Sequence, residues 1–150
     1  MIKIVDYRNE HAADFRKINL EWLDLHGLTE PADLEVLDRP DLIFDHGGHI
    51  FIAIEQDRVI GTSALLRHGE SEFELAKMSV VPELRGQGIS KLLMDACLEK
   101  ARSFGATKVI LFSSTKLTAA LKLYERYGFR HVPLEDSPFL TADVKMELVF

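Results

Sequence analysis

A chain of 150 residues with 47% apolar side chains fits one domain with a sizeable core and is too short for two ordinary ones. No stretch approaches the ~18–20 consecutive apolar residues of a membrane helix, the polar N-terminus lacks a signal-peptide pattern, and the single Cys97 cannot form an internal disulfide. The expectation is therefore a cytoplasmic, reducing location with no membrane partner. A net charge of −6 without an aromatic-interleaved basic stripe disfavours nucleic acid as a partner.

Residues 2–7 set Ile2 and Ile4 in alternation against Lys3 and Val5 and predict a first strand. A helix follows, with Phe15, Ile18, Trp22 and Leu25 spaced three and four apart as one buried stripe, and His26-Gly27 should end it. Residues 31–37 predict a short helix that begins on Pro31 and is closed by Arg39-Pro40. Residues 49–55 and 58–67 are apolar, β-branched runs joined by Gln56-Asp57, which reads as an antiparallel hairpin; 68–71 then turn the chain into a third central strand over 72–81. From Gly88 the spacing becomes helical, with Ile89, Leu92, Leu93, Ala96, Ala101 and Phe104 toward a core and Gly105 as terminator. The almost wholly apolar 108–113 follows this helical crossover and predicts a strand with a parallel neighbour. Ser114 or Thr115 can cap a last helix that runs to Tyr127 and stops at Gly128, and two strands are expected around 129–133 and 144–149. The fold class is α/β: a mixed sheet with helices on both faces, in one domain over 1–150.

Charge is unevenly distributed. Residues 1–45 carry eleven Asp and Glu against five Lys and Arg, whereas 85–130 hold nine basic side chains and three acidic ones. A basic half attracts an anionic cofactor and an acidic N-terminal segment attracts a cationic second substrate; equally, both can be solvated helix faces. Asp24, Glu30, Asp33, Glu35, Asp38, Asp41 and Asp45 crowd the acidic segment.

The basic half contains Val80-Val81-Pro82-Glu83-Leu84-Arg85-Gly86-Gln87-Gly88-Ile89-Ser90, where a strand end runs through a glycine-rich turn into a helix. Gly86 and Gly88 permit positive φ and close backbone approach, the helix's first N–H groups point outward, and Arg85 supplies a fork of donors, a combination suited to phosphate. Arg85 can alternatively pair with an acid. About thirty residues on stands Ala120-Leu121-Lys122-Leu123-Tyr124-Glu125-Arg126-Tyr127-Gly128-Phe129. The two motifs, in this order, resemble the GCN5-related N-acetyltransferase (GNAT) superfamily, most firmly from residue 72 to 129. That resemblance implies a mostly antiparallel sheet with a splayed parallel pair and a site for acetyl-coenzyme A. The pyrophosphate would be gripped by Arg85, Gly86, Gln87, Gly88, Ile89 and Ser90, and the thioester carbonyl polarised by backbone near Met78, Ser79 and Val80. Two positions depart from the family pattern: Ser90 replaces the usual Gly or Ala, and Leu117 stands where an asparagine is common.

Acetyl transfer to an amine needs a neutral amine, a polarised thioester carbonyl and a protonated leaving thiolate. An alkylamine of pKa ~10 is mostly protonated at neutral pH, so a base must take its proton. The resemblance places a base at Glu74, with Glu72 on the same strand face as its substitute; Glu74 otherwise reads as an exposed strand carboxylate or a partner for Lys77. Tyr124 is the implied partner of the leaving thiolate, its alternative being a core tyrosine on the stripe with Leu117 and Leu121. Tyr127 and Trp22 read as packing, and Cys97 as a buried thiol without an evident base. His46 and His49 lack a third ligand, so no metal is expected. The expected reaction is direct transfer from acetyl-coenzyme A to a primary amine, of a small cationic molecule. Protein N-termini or lysines, and a non-catalytic acyl-coenzyme A-binding or regulatory module, are the alternatives. Residues 21–45 and 134–143 are expected to choose the acceptor. Family members often form homodimers, and the oligomeric state is left open.

Overall fold

A computed structural model describes residues 1–135 and 140–150. In chain order the elements are β1 (Lys3–Asp6), α1 (Ala12–Leu25), α2 (Pro31–Asp38), α3 (Asp41–Asp45), β2 (His49–Glu55), β3 (Arg58–Arg67), β4 (Glu72–Val80), α4 (Ile89–Ser103), β5 (Lys108–Ser113), α5 (Thr118–Arg126), β6 (Arg130–Val132) and β7 (Val144–Val149). The strands form one sheet in the order β1-β2-β3-β4-β5-β7-β6, antiparallel except for the β4–β5 pair. Gln56 and Asp57 both take positive φ, as a two-residue hairpin turn between right-twisted strands requires.

Successive strand residues point to opposite faces, so each central strand feeds two apolar layers. On one side Leu65, Phe73 and Leu75 pack with Met94, Cys97 and Leu98 of α4, and Leu121 and Tyr124 of α5 join that cluster. On the other side Phe15, Leu37 and Ile43 from the first three helices cover Ile50, Ile52 and Ala64. The sheet is therefore covered by helices on both faces, as expected.

Several local expectations change. The buried stripe of α1 ends early, because Leu25 occupies the helix's last position and is 64% exposed, while Trp22 is half-buried. On α4 the buried series is Ile89, Leu93, Cys97 and Ala101 at four-residue spacing; Leu92 falls off that line and is 42% exposed. The last helix begins at Thr118, not after a Ser114 or Thr115 cap, because both hydroxyls are engaged elsewhere. Ser114 Oγ accepts the Lys116 N–H (3.2 Å), and Thr115 donates to Asp143 through its N–H and its hydroxyl (2.9 Å each).

The change that matters most for function is in β4. Ala64 stands opposite Ala76 and Thr62 opposite Ser79, so two residues, Lys77 and Met78, face the single Ser63. Lys77 takes φ +51°, and this bulge reverses the strand's facing pattern. Phe73 and Leu75 point toward α4 before it, and Met78 and Val80 do so after it. Beside this bulge the sheet opens. β4 and β5 are paired from Glu72–Lys108 to Glu74–Ile110, whereas β5 continues along β7 as far as Ser113–Val144.

Candidate active site

Parting of β4 from β5 leaves a cleft of about 800 Å³, including the solvent at its mouth. Its floor is the backbone of β4 from Leu75 to Ser79, freed from strand pairing on that edge. Phe112, Ser113, Ser114 and Leu117 line the β5 side, Tyr124 closes the α5 end, and Asn19, Trp22 and Leu23 of α1 form the opposite wall. Backbone N–H groups on an unpaired strand edge are fixed donors that water or a ligand must satisfy. A carbonyl oxygen laid in the cleft would meet them without reorganising the protein.

Glu74 lies in the wall of this cleft and is buried. Its Oε1 is 2.7 Å from Nε2 of His68, in the turn between β3 and β4. That hydrogen bond raises the His68 pKa; burial opposes the rise, the charges of Glu74 and Glu72 reinforce it, and Lys145 counters it. Glu72, the alternative base, pairs with Lys108 at 2.9 Å and does not line the cleft. Tyr124 is half-buried and packs edge-on to Phe129, ring centroids 6.1 Å apart; burial pushes its phenol up to about 12. Tyr127, one turn on, is held outside the cleft, its hydroxyl donating to Asp95 (2.6 Å).

A buried polar network holds the bulge in place. Thr62 Oγ1 donates to the Lys77 carbonyl (2.8 Å) and accepts from Asn19 Nδ2 (3.0 Å), while Ser79 Oγ donates to Asn19 Oδ1 (3.0 Å). Asn19 also donates to the Phe15 carbonyl (2.8 Å). Lys77, redirected by the bulge, forms an ion pair with Asp33 of α2, the two side chains 8% and 4% exposed. Asp33 in turn accepts the N–H of Glu30 (3.0 Å) as part of the α2 capping box. Glu30 reaches across to the far loop, accepting the N–H groups of Leu140 (2.6 Å) and Thr141 (2.8 Å) and the Thr141 hydroxyl. Burial works to raise the Glu30 carboxyl, yet these hydrogen bonds and the Lys77 charge outweigh it and hold the pKa below the ordinary value.

The glycine turn lies past the end of β4. Gly86 (φ +80°) and Gly88 (φ +83°) both use left-handed backbone, and a Cβ on either would meet no atom within 4 Å, so the loop is open on its outer side. The N-terminus of the 15-residue α4 follows directly. A helix N-terminus presents unpaired N–H groups of the kind an anion can accept from. Arg85 has been drawn inward: its Nε donates to the Val80 carbonyl (3.1 Å), and its guanidinium lies 4.5 Å from the centre of the Trp22 ring.

Of the residues predicted from sequence, Glu74, Met78, Ser79 and Tyr124 come together in the cleft. Val80, Arg85, Gly86, Gln87, Gly88, Ile89 and Ser90 lie outside it, along the strand end and the start of α4. Asp33 alone of the seven crowded acids lines the cleft. Within the expected specificity segment 134–143, Thr141 and Ala142 line the cleft, while 136–139 lie outside the described residues. His46 Nδ1 is 2.7 Å from the Leu42 carbonyl and His49 Nε2 is 2.8 Å from Asp6. Cys97 is buried against Ser63, and burial pushes its thiol up to about 12. Sequence reasoning missed Asn19, Thr62 and His68. His68 alone had a local signal, a turn position six residues before a strand carboxylate.

Comparison with known proteins defines the class. The chain belongs to the GNAT acetyltransferases, matching the acetyltransferase (GNAT) family over residues 8–129. It is 33% identical to N-acetylaspartate synthetase of Rattus norvegicus over 139 residues, which cover 90% of this chain and 45% of that protein; the chain thus spans about half the length of that relative. It is 33% identical to the Escherichia coli protein called uncharacterized N-acetyltransferase YjgM over 126 residues, covering 78% of this chain and 72% of the other. Among solved structures, a GNAT-family acetyltransferase from Staphylococcus aureus superposes with TM-score 0.88 at 20% identity, covering 98% of both chains. The PaiA N-acetyltransferase of Thermoplasma acidophilum, in complex with coenzyme A, superposes with TM-score 0.79 at 14% identity, covering 100% of this chain and 99% of that one. Among the described residues, no helix is long and apolar enough to cross a membrane.

Proposed function

We propose that residues 1–150 act as one acetyltransferase domain that moves the acetyl group of acetyl-coenzyme A directly onto a primary amine. The observation that carries this reading is the parted β4–β5 pair, with Glu74 in one wall of the opening and Tyr124 at its end. The coenzyme supplies the activated thioester when bound. Gly86–Ser90 and the first turn of α4 would hold its pyrophosphate, and the free edge at Met78–Val80 would receive the carbonyl oxygen. Glu74 takes the proton from the incoming amine. Tyr124 donates a hydrogen bond to the departing sulfur. With its phenol at about 12, full proton transfer to a thiolate of pKa ~8.5 is well uphill, so hydrogen bonding is the larger contribution. Transfer is direct because the one cysteine is buried with a raised pKa.

The acidic N-terminal segment supports attraction of a cationic acceptor from a distance, in a reducing cytoplasm. Inside the cleft Asp33 is met by Lys77, so the acceptor nitrogen itself is left to Glu74. A second reading, an amino acid with carboxylates beside its amine, is favoured by the name of the rat relative.

The test is free-thiol release from acetyl-coenzyme A with polyamines, basic peptides and L-aspartate as acceptors, wild type beside Tyr124→Phe. The variant is expected to lose roughly 100-fold in kcat with coenzyme affinity unchanged. Equal losses in rate and affinity, or no loss, would remove Tyr124 from its role. Silence with every amine, together with tight coenzyme binding, would favour a non-catalytic binding module.

A further inference from the structure

A buried base that accepts one proton per turnover must release it before the next acceptor arrives, and the cleft in front of it is then occupied by substrates. We propose that His68 is the exit, carrying the acceptor's proton from Glu74 to solvent without touching the acceptor itself. This rests on the reading of Glu74 as the base and adds the route behind it.

The geometry is direct. Glu74 presents its carboxylate in the cleft wall with a side chain only 3% exposed, while Oε1 is 2.7 Å from Nε2 of His68. The His68 side chain is 38% exposed, so one hydrogen bond spans the distance from the cleft to water. The proton passes from the amine nitrogen to Glu74, then through Oε1 to Nε2 of neutral His68. Nε2 accepts in the tautomer protonated at Nδ1; the imidazolium then loses its Nδ1 proton to solvent, and tautomer exchange through water resets the ring while Glu74 returns to carboxylate. The charged groups facing His68 are Glu74 and Glu72 of β4, which favour the imidazolium, and Lys145 of β7, which opposes it. Together with the Glu74 hydrogen bond they hold the ring above its ordinary value, and its 38% exposed side chain gives the proton a way to water. Glutamine in place of His68 keeps a donor for Glu74 but cannot titrate, which separates relay from support.

The experiment measures kcat of wild type and His68→Gln with acetyl-coenzyme A and the panel amine that gives the fastest thiol release. Imidazole is raised at constant ionic strength and the enzyme-free rate subtracted. The variant is expected to lose about tenfold in kcat, to keep its KM for acetyl-coenzyme A, and to recover rate as imidazole increases, while wild type is indifferent to it. Wild-type turnover at every imidazole concentration would overturn the proposal, and so would a loss that imidazole never restores. A ring-proton NMR titration of His68 in the unmutated protein and in Glu74→Gln gives a readout independent of the variant's folding. The pKa should fall when the carboxylate is removed, and an unchanged titration would break the coupling. Glu74→Gln also separates the two readings: an unaltered pH–rate profile would sink Glu74 as base, whereas an impaired Glu74→Gln beside a normal His68→Gln sinks only the relay.

Discussion

The hydrogen bond with Glu74 draws His68 above the ordinary imidazole value, so the folded chain holds that proton more tightly than the unfolded chain does. Stability from this source is fully present below the unfolded value of ~6.5 and is lost as pH rises through the folded value. The stability difference between wild type and His68→Gln should accordingly be larger at about pH 6 than at about pH 8.5, as read from urea midpoints at both. A difference that is constant with pH, or grows toward alkaline pH, would contradict the pairing. Tyr124 and Tyr127 show how burial and partner divide two tyrosines on one helix face. Burial pushes both phenols to about 12, and the Asp95 contact adds to the rise at Tyr127. Tyr127 has spent its hydroxyl on Asp95, whereas Tyr124 lines the cleft and, among the described residues, makes no protein hydrogen bond, leaving its donor for a ligand.

At the scale of elements, β2, β3 and β5 follow their predicted limits because their apolar runs are bounded by strong punctuation, the Gln56-Asp57 turn above all. The bulge in β4 left no such mark. Leu75-Ala76-Lys77-Met78 reads as an ordinary strand, and what bends it is Thr62, 15 residues away, together with the Asn19–Ser79 contact spanning 60. A buried polar network of this kind is costly to break, because each orphaned group keeps its desolvation penalty. Thr62→Val leaves the Lys77 carbonyl without this donor and Asn19 with one acceptor fewer. It should destabilise the fold by about 1–3 kcal/mol, and Thr62→Ser, which retains the hydroxyl, should recover most of that. Denaturant unfolding of the three proteins checks this; a Val variant as stable as wild type would mean that the hydroxyl does not hold the bulge.

Across the whole molecule, the proposed cofactor grip could be named from sequence because its motif is contiguous, from Arg85 to Ser90. The proposed acceptor side could not, because its surroundings are assembled from pairs distant in sequence: Lys77 with Asp33 across 44 residues, and Glu30 with Leu140 across 110. The acids that composition assigned to a cationic acceptor include Asp33 and Glu30, and both are occupied in joining α2 to β4 and to the loop beyond residue 139. The Asp33 and Lys77 side chains are both buried, so removing one takes away the other's direct ion-pair partner inside the fold. Asp33→Asn retains an acceptor for the Glu30 N–H and removes only the charge. It is expected to cost about 3–5 kcal/mol, whereas the Asp33→Asn/Lys77→Met double variant should be markedly less destabilised than the sum of its singles. The four corners of that cycle, measured by urea unfolding, isolate the coupling. Simple additivity would mean that α2 is held to the bulge by its apolar contacts alone and that the acidic segment is free to serve the acceptor after all.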